Sequence, residues 1–488
     1  MTTKPQRQTP PVSAPSTGSV LCVDLDGTLI HTDSLLESVL LFLKGGPSAL
    51  FWICLWMLRG RAYLKRMVAG RALLDPAGLP FDRELIVFLQ AERATGTRLV
   101  LATGADEHIA SAIAAHLGIF DEVLASDGKT NLTGERKAAT LAARFGSGGF
   151  RYIGNSRADL PVWREASHAI VCSATAALPR LLERERIPTE RVFPRQEKKA
   201  ALLAQALRIY QWPKNLLIWV PLFLSHRIGE PGLLVKGAVA MAAFSFCASA
   251  LYLVNDLLDL AADRAHPRKC ARPFASGRLD PWVGVALAPV LVLAAFLMAW
   301  LLSPGFTLIL ALYAAVSIAY SFFFKEVALL DVCLLGGLYV VRIFAGGAAM
   351  GIVISSWTLG YCMFLFLSLA LLKRYVELLM LSANKQTAAR GRGYVVADYP
   401  ILACFGAGTA CVAALLLALY IESSEVQLLY RHPERLWLLC GVHLYWISRV
   451  WLLANRGEMH HDPVLFALRD RASYWLGLVA LAIAVIAT

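Results

Sequence analysis

Long apolar stretches fill the second half of the chain and constrain its fold more than any other feature. Several of them reach the length of about 18–25 residues that a helix needs to cross a lipid bilayer. They lie at 213–228, 235–258, 282–302, 305–323, 327–348, 354–380, 400–421, 435–453 and 472–487. Hydrophobic residues make up 57% of the chain and charged residues 17%, whereas soluble domains have about 45–50% and 25%. The sequence therefore predicts an integral membrane protein with an all-α bundle of about nine transmembrane helices over 196–488.

The first part of the chain has a different pattern. After a tail at 1–18, predicted to be disordered, residues 19–195 alternate short apolar runs with charged helical stretches. This alternation is typical of a parallel, Rossmann-like α/β sheet. The predicted strands are Ser19–Asp26, Arg98–Gly104, Glu122–Ser126, Arg151–Asn155 and His168–Ser173. A mostly helical insertion at about 33–93 separates the first two strands, and the charged segment Glu183–Lys199 leads into the membrane part.

The positive charges of the chain are unevenly placed. Lys and Arg number 47 against 35 Asp and Glu, which gives a formal net charge of +12. Basic residues concentrate in the loops at 264–278, 325, 385–392 and 456–471, whereas the opposite loops carry only Arg227, Lys236, Arg431 and Arg435. The positive-inside rule then puts the N-terminal domain and the active sites on the cytoplasmic side of the plasma or inner membrane. Because the surplus charge gathers at one membrane face, we expect no nucleic-acid partner.

Two carboxylates follow the first predicted strand, in Val23-Asp24-Leu25-Asp26-Gly27-Thr28. The carboxyl ends of parallel strands are where α/β folds bind ligands. Asp24 is predicted to attack a phosphorus atom and Asp26 to act as the general acid and base. Four further polar residues complete the predicted site: Thr103 and Lys137 for phosphate oxygens, and Asn155 and Asp159, together with Asp24 and Asp26, for Mg²⁺.

This set of motifs resembles the haloacid dehalogenase superfamily, in its phosphoserine-phosphatase-like branch with a helical cap after the first motif. The resemblance covers about residues 19–180 and implies a Mg²⁺-dependent phosphatase. The sequence departs from the family pattern at Asn155, where many members have Asp. Two interpretations therefore stay open, a working phosphatase or an inactive fold kept for regulation or interaction.

The predicted cap contains two apolar runs, Leu35–Leu43 and Ala49–Leu58, followed by basic residues between Arg59 and Arg71. Two interpretations of this pattern stay open. The cap is either a helical hairpin that packs on itself or an apolar surface with a basic fringe that rests on anionic lipid.

Three carboxylates lie at the end of the second predicted membrane helix. Asp256, Asp259 and Asp263 are spaced i, i+3 and i+7, which places them on one face of a helix, with Asn255 alongside. Ionisable groups at such a place are costly and usually functional. Because Mg²⁺ prefers oxygen ligands, the spacing predicts a site that binds Mg²⁺ and a diphosphate.

The segment Asn255–Gly277 resembles the UbiA-type intramembrane prenyltransferase superfamily, with N-D-x-x-D-x-x-x-D followed by R-P and Gly. The resemblance covers about 205–488 and implies nine helices. Within the superfamily, D-R-x-H-P-x-K-x-x-R-P resembles the branch of the decaprenyl-phosphate phosphoribosyltransferases. Further polar residues agree with this resemblance and are expected to bind the phosphorylated substrates: Lys214, Asn255, Arg264, Lys269, Arg272, Tyr320, Lys325, Arg342, Lys373, Arg374 and Glu377.

The expected reaction is transfer of 5-phosphoribose from phosphoribosyl pyrophosphate to a polyprenyl phosphate, with Asp256 and Asp259 holding Mg²⁺ and the leaving diphosphate. The fused phosphatase is expected to remove the 5-phosphate of the product. The alternative is a prenyltransferase that acts on an aromatic or glycerophosphate acceptor. Members of that class have a second pair of Asp four residues apart. Asp331 is not part of such a pair, because the residues four positions before and after it are Val327 and Leu335. A non-catalytic lipid carrier and homo-oligomerisation are left open.

Overall fold

The computed structural model describes residues 19–46, 48–72, 74–173, 177–194, 199–383, 392–459, 462–467 and 469–488. The predicted tail at 1–18 and most of the basic loop at 385–392 lie outside these residues. The chain folds into two compact units. The first contains the described residues of Met1–Ala206 together with Val254–Ala286, and the second contains those of Leu207–Leu253 and Leu287–Thr488. The segment Val254–Ala286, predicted as part of the membrane domain, is thus grouped with the N-terminal unit.

The first unit is built on a six-stranded parallel sheet in the order β3-β2-β1-β4-β5-β6. Its strands are β1 Val20–Val23, β2 Arg98–Asp106, β3 Glu122–Ser126, β4 Phe150–Gly154, β5 His168–Ser173 and β6 Thr189–Pro194. The predicted α/β sheet is confirmed. Strand β6 was not predicted, because its polar residues Thr189, Glu190 and Arg191 placed it in the segment interpreted as a charged linker.

Helices cover both faces of this sheet. The helices of this part of the chain are α1 Ser34–Lys44, α2 Ser48–Leu58, α3 Arg61–Ala69, α4 Arg83–Ala94, α5 Glu107–Leu117, α6 Glu135–Phe145, α7 Leu160–Glu165, α8 Ala177–Arg184 and α9 Lys199–Ala206. Side chains of α4 and α5 pack on one face of the sheet, and side chains of α6, α7 and α8 pack on the other. Successive side chains of β1 alternate between the faces, as the pleat of a strand requires. Leu21 and Val23 pack with Leu85, whereas Cys22 packs in a second cluster with Trp163. The strand is therefore buried on both sides, which explains its unbroken apolar sequence.

The insertion predicted at about 33–93 is helical and contains α1 to α4 and the 3₁₀ helix Pro76–Gly78. Helix α4 packs on the sheet, where Leu85 and Leu89 join the cluster of Leu21 and Val23. Asp33 caps α1 by accepting a hydrogen bond from the backbone N–H of Leu36 at 2.9 Å. Helix α2 packs only Ala49, Ile53 and Trp56 inward. Its outward apolar side chains are largely exposed, Leu58 to 86%.

The second unit is all-helical, and long apolar helices dominate it. The helices that follow α9 in the chain are α10 Val220–Leu224, α11 Pro231–Leu258, α12 Leu260–Arg264, α13 Pro281–Leu302, α14 Pro304–Phe322, α15 Leu330–Met350, α16 Ser356–Ala383, α17 Tyr399–Ile421, α18 Ser424–Leu429, α19 Leu438–Asn455, α20 Pro463–Ala467 and α21 Arg471–Ala487. Of these, α12 and the ends of α11 and α13 belong to the first unit. Leu293, Trp300 and Leu301 of α13 are 72%, 71% and 75% exposed, as expected of side chains that face lipid.

Six helices of the described residues are long and apolar enough to cross a membrane. They are Pro231–Leu258, Pro281–Leu302, Pro304–Phe322, Leu330–Met350, Val396–Ile421 and Pro433–Asn455. The chain is therefore an integral membrane protein, but the predicted count of nine spans is not confirmed. The first predicted stretch forms a 3₁₀ helix, Ile209–Trp219, and the short α10, because Pro213 removes a backbone donor. Helix α21, which forms the last predicted stretch, is apolar but has only 17 residues and so is not among these six helices.

Candidate functional site

Asp24 lies at the carboxyl end of β1 and is paired with a buried lysine. Its Oδ1 lies 2.8 Å from Nζ of Lys137, at the start of α6, and Lys137 also donates to the hydroxyl of Tyr152 at 2.9 Å. Burial raises the pKa of the Asp24 carboxyl, and Lys137 opposes that rise. Burial alone would lower the pKa of Lys137, but Asp24 and Asp159 raise it. The lysine is therefore a fixed positive charge beside the predicted nucleophile.

Asp26 is held by the first residue of the cap. The backbone N–H of Ser34 donates to Oδ1 of Asp26 at 2.7 Å, and the Ser34 hydroxyl donates to Oδ2 at 3.2 Å. Burial raises the pKa of Asp26, and the nearby carboxylate of Asp33 adds to the rise. A carboxyl that is readily protonated suits a general acid, which is the role predicted for this residue.

The loop after β4 completes this group. Asp159 accepts hydrogen bonds from the backbone N–H groups of Asn155 and Ser156, each at 3.1 Å, and from the Tyr152 hydroxyl at 2.9 Å. The Asn155 amide lies over Gly27, where an added Cβ would come within 2.1 Å of its Nδ2. Gly27 also has φ +69°, so glycine is required at this position on two counts.

Thr103, by contrast, is buried in β2, and its hydroxyl accepts from the backbone N–H of Ala105 at 3.0 Å. Strands β2, β1 and β4 are neighbours in the sheet, so their carboxyl ends meet at one edge. Lys65 of the cap also reaches this edge, donating to the Gly104 carbonyl and, at 2.8 Å, to Asn131 Oδ1. Burial lowers the pKa of Lys65, and Asp26 opposes that effect.

The acidic segment, Asn255–Asp263, contains three carboxylates, and all of them are paired with cations. Asp256 and Asp263 both accept from Nη1 of Arg272, at 2.9 and 2.5 Å, and Lys269 lies 3.8 Å from Asp263. Asp259 instead accepts from Nζ of Lys44 at 2.8 Å. Asp256 and Asp263 are thus held by one guanidinium, whereas Asp259 is held by a residue of the cap.

The backbone of this segment is not one regular helix as the spacing predicts. Helix α11 ends at Leu258, Asp259 lies between the helices, and α12 begins at Leu260. The hydrogen bonds from the N–H of Asp259 to Asn255 O and from the N–H of Asp263 to Asp259 O keep the i, i+4 register across the break. The register explains why Asp256 and Asp263 reach the same arginine.

In the second unit, two lysines meet on one carboxylate. Nζ of Lys214 and Nζ of Lys373 lie 2.9 and 3.1 Å from Oδ2 of Asp462, and Tyr339 donates to Oδ1 at 3.3 Å. Asp462 is largely buried, whereas the Lys373 side chain is 38% exposed. This cluster contains two positive charges for one negative charge, which suits an anionic ligand.

Arg342 occupies a separate buried position. Its Nε donates to Oδ1 of Asn215 at 2.9 Å, and its Nη2 lies 3.4 Å from the Tyr313 hydroxyl. The guanidinium also lies over the rings of Phe244 and Tyr339, at 5.2 and 5.6 Å from their centroids. These contacts fix the arginine through an amide, a hydroxyl and two aromatic rings.

A second ion-pair network surrounds Arg374, whose side chain is 2% exposed. Its Nε donates to Asp331 at 2.5 Å, Nη1 to Glu377 at 2.5 Å and Nη2 to the Tyr320 hydroxyl at 3.0 Å. The predicted residues Tyr320, Arg374 and Glu377 therefore lie together, with Asp331 buried at their centre. Lys325 lies in the 3₁₀ helix Phe324–Glu326 and takes part in neither network.

We expect the Arg374–Asp331 pair to be a stability determinant. Asp331→Asn leaves the buried guanidinium without its full counter-charge, and breaking such a pair costs about 3 kcal/mol. The free energy of unfolding of the purified protein in detergent should fall by that amount. Glu230→Gln is the control, because it removes an ion pair with Arg227 that is exposed at both ends. Equal losses in the two variants would contradict a special role for the buried pair.

Comparison with models of protein families shows to which families the two parts of the chain belong. The model of the UbiA prenyltransferase family matches residues 216–476, more than half of the chain, and that of the haloacid dehalogenase-like hydrolases matches residues 21–164. The chain belongs to the UbiA prenyltransferase family. A haloacid dehalogenase-like hydrolase domain is fused at its N-terminal side, so both predicted resemblances are confirmed.

Relatives of this UbiA family member share one or both parts. The uncharacterized protein y4nM of Sinorhizobium fredii is 36% identical over 94% of this chain and 89% of its own length. The decaprenyl-phosphate phosphoribosyltransferase of Mycolicibacterium smegmatis is 38% identical over 180 residues, which are 36% of this chain and 57% of that protein. A solved UbiA homolog from Archaeoglobus fulgidus, bound to DMAPP and Mg²⁺, superposes with a TM-score of 0.45 at 13% identity, over 58% of this chain and 98% of that one.

Mg²⁺ is the metal that both families imply, and the donors present suit it. Asp24, Asp26 and Asn155 in the hydrolase domain, and Asp256, Asp259 and Asp263 in the acidic segment, offer oxygen atoms only. Within the described residues no group of three or more His, Cys, Asp and Glu side chains is arranged to hold a metal ion. Asp256 and Asp263 lie together on Arg272, and Asp259 is held by Lys44.

Three side chains at the candidate sites are absent from the sequence predictions of site residues. One is Asp462, which joins Lys214 and Lys373. The other two, Lys65 and Lys44, belong to the cap. The sequence predictions include Lys65 only as one of the basic residues between Arg59 and Arg71, and they do not include Lys44. A lysine at the end of a predicted cap helix gives no signal of its partner, because Lys44 and Asp259 are 215 residues apart.

Proposed function

We propose that this UbiA family member transfers 5-phosphoribose from phosphoribosyl pyrophosphate to a polyprenyl phosphate and releases pyrophosphate. The observation that carries the proposal is the 38% identity to decaprenyl-phosphate phosphoribosyltransferases over 180 residues. The acidic segment supports it, because N-D-x-x-D-x-x-x-D is followed directly by Arg264, Lys269 and Arg272. A donor with two phosphorylated ends needs cations as well as the carboxylates that hold its metal.

The cations of the second unit favour a phosphorylated acceptor. Lys214 and Lys373 share a single carboxylate, and Arg342 is fixed by an amide and a hydroxyl rather than by an acid. An aromatic acceptor would need no anion site of its own, whereas a lipid phosphate would. We therefore assign Lys214, Lys373 and Arg342 to substrate phosphates, together with Lys325 and the Tyr320–Arg374–Glu377 group as supporting residues.

In this mechanism Asp256, Asp259 and Asp263, with Asn255, hold the metal and the leaving diphosphate. These carboxylates would hold Mg²⁺, which would supply positive charge for the diphosphate as it leaves. An oxygen of the acceptor phosphate attacks the anomeric carbon as the carbon–oxygen bond to the diphosphate breaks. Arg272, which donates to Asp256 and Asp263, would be available for a phosphate oxygen if these carboxylates held a metal ion instead.

The hydrolase domain is proposed to act on the 5-phosphate of the first product. Asp24 attacks the phosphorus, Asp26 protonates the ribose oxygen that leaves, and water then hydrolyses the aspartyl phosphate with Asp26 as base. Lys137, fixed 2.8 Å from Asp24, and Thr103 hold phosphate oxygens. Asn155 and Asp159 complete the Mg²⁺ site of this domain, with one carboxylate fewer than the usual family pattern.

A membrane assay tests the transferase. Membranes that contain the full chain are incubated with Mg²⁺, a polyprenyl phosphate and phosphoribosyl pyrophosphate labelled in the ribose. We expect label to enter the lipid extract and to be lost when EDTA is added. Prenylated phenols or glycerophosphates from a prenyl diphosphate, without ribosylated lipid, would replace this proposal with the prenyltransferase alternative. Side-selective labelling of the loop at 264–278 checks the proposed cytoplasmic position of both sites.

A further inference from the structure

Helix α1 contacts functional carboxylates at both of its ends. Its first residue, Ser34, donates twice to Asp26 of the hydrolase site, and its last residue, Lys44, donates to Asp259 of the acidic segment at 2.8 Å. The helix has 11 residues, a length of about 16 Å. One short element of the cap thus touches both groups of carboxylates within the first unit.

Helix α1 is held beside the acidic segment by a second ion pair, which Glu37 of its first turn makes. Arg264 makes a two-pronged ion pair with Glu37 of α1, at 2.7 and 2.5 Å, and its Nε donates to the Ala275 carbonyl. Both side chains are buried, at 9% and 4% exposure. Paired bonds between a guanidinium and a carboxylate fix orientation as well as distance. The position of Lys44 next to Asp259 is therefore built into the packing of the helix.

The pair between Lys44 and Asp259 has a different character. Their side chains are 43% and 22% exposed, so both remain open to a ligand. An ammonium that is hydrogen-bonded to a carboxylate lies within reach of the other ligands of a metal bound by that carboxylate. Lysine is also a common phosphate binder, because its compact charge carries three rotatable donors. These properties suit a group that exchanges a carboxylate for a diphosphate.

We propose that Lys44, a residue of the hydrolase cap, binds the diphosphate of the transferase donor. It pairs with Asp259 in the absence of donor and turns to a diphosphate oxygen when Asp259 binds the metal. The assignment of Asp259 to a diphosphate rests on the proposed function. The hydrolase domain then has a second role, since the transferase site depends on a side chain of the cap.

Binding of Mg²⁺ with inorganic pyrophosphate to the full chain in detergent tests this role by calorimetry. All proteins carry Asp24→Asn so that pyrophosphate is not consumed, and binding that survives Asp259→Asn is assigned to other sites. We expect Lys44→Ala to raise the dissociation constant of the binding that depends on Asp259 about tenfold. Lys44→Arg should restore most of the affinity. Arg59→Ala, a substitution at an exposed basic residue of the same cap, should leave the affinity unchanged.

The outcomes separate this inference from the proposed function. If Lys44→Ala binds Mg²⁺ and pyrophosphate as the parent does, the role of Lys44 is overturned, whether or not the parent transfers phosphoribose. If affinity depends on Lys44 but no ribosylated lipid forms in the membrane assay, the proposed function fails and the role of Lys44 stands. Lys44→Gln keeps an unbranched polar side chain without the charge, and it replaces Lys44→Ala if that variant does not fold.

Discussion

Replacing Asp256 by Asn should lower transferase activity by about a hundredfold or more. The carboxylate is buried beside Asp263 on Arg272, and we assign it to the metal that neutralises the leaving diphosphate. Loss of one charge-stabilising group at a reacting centre typically costs that much in rate. The measurement is the initial rate of ribose transfer into lipid at saturating donor and Mg²⁺.

Asp280→Asn is the matched control for that variant. Asp280 lies in the same stretch of the chain as Asp256, Val254–Ala286. It is exposed and caps α13 by accepting a hydrogen bond from the N–H of Trp282 at 2.9 Å. Asparagine caps as well as aspartate does, so this variant removes one negative charge without removing a contact. Nearly wild-type transfer by Asp256→Asn, or equal losses in both variants, would contradict a role of Asp256 in the reaction.

Asp24→Asn should abolish phosphate release by the hydrolase domain, by about a thousandfold or more, because the side chain that forms the covalent intermediate is lost. The ribose-transfer rate should stay near that of the parent, since no transferase residue is altered. Phosphate release from a generic phosphate ester and removal of the 5-phosphate from the lipid product measure the two expectations separately.

Asp75→Asn provides the comparison for Asp24→Asn. Asp75 is an exposed cap residue that accepts from the N–H of Ala77 at 3.0 Å, a contact that asparagine keeps. If Asp24→Asn leaves removal of the 5-phosphate unchanged, the sequential proposal fails. If the parent hydrolyses no phosphate ester at all, the domain is the inactive fold that Asn155 left open as an alternative.

The sequence predicted most of the sheet and the polar residues at the ends of its strands. The alternation of apolar runs predicted five of the six strands. The polar residues after β1 and β4 do lie together, since Lys137 is 2.8 Å from Asp24 and 3.8 Å from Asp159, and the Asn155 amide lies over Gly27. These features are local, since the strand ends carry their own polar residues. The same local rule missed β6, whose exposed edge position permits charged side chains.

Long-range ion pairs were beyond sequence reasoning. Lys214 and Asp462 are 248 residues apart, and Lys44 and Asp259 are 215 apart. Nothing in either neighbourhood specifies the partner, because any exposed or interfacial cation satisfies the same composition. The break at Asp259 was also unpredictable from spacing, which records the period of a helix but not its interruption. Hydropathy likewise indicated apolar stretches without deciding which of them form long helices.

The most direct test of the account is the mass of the lipid product made by Asp24→Asn. The purified variant is incubated with phosphoribosyl pyrophosphate, Mg²⁺ and a polyprenyl phosphate, and the lipid extract is analysed by mass spectrometry beside that of the parent. The account predicts a polyprenyl-phosphate ribose 5-phosphate from the variant and the same lipid without the 5-phosphate from the parent. A prenylated acceptor that contains no ribose, from either protein, would contradict it.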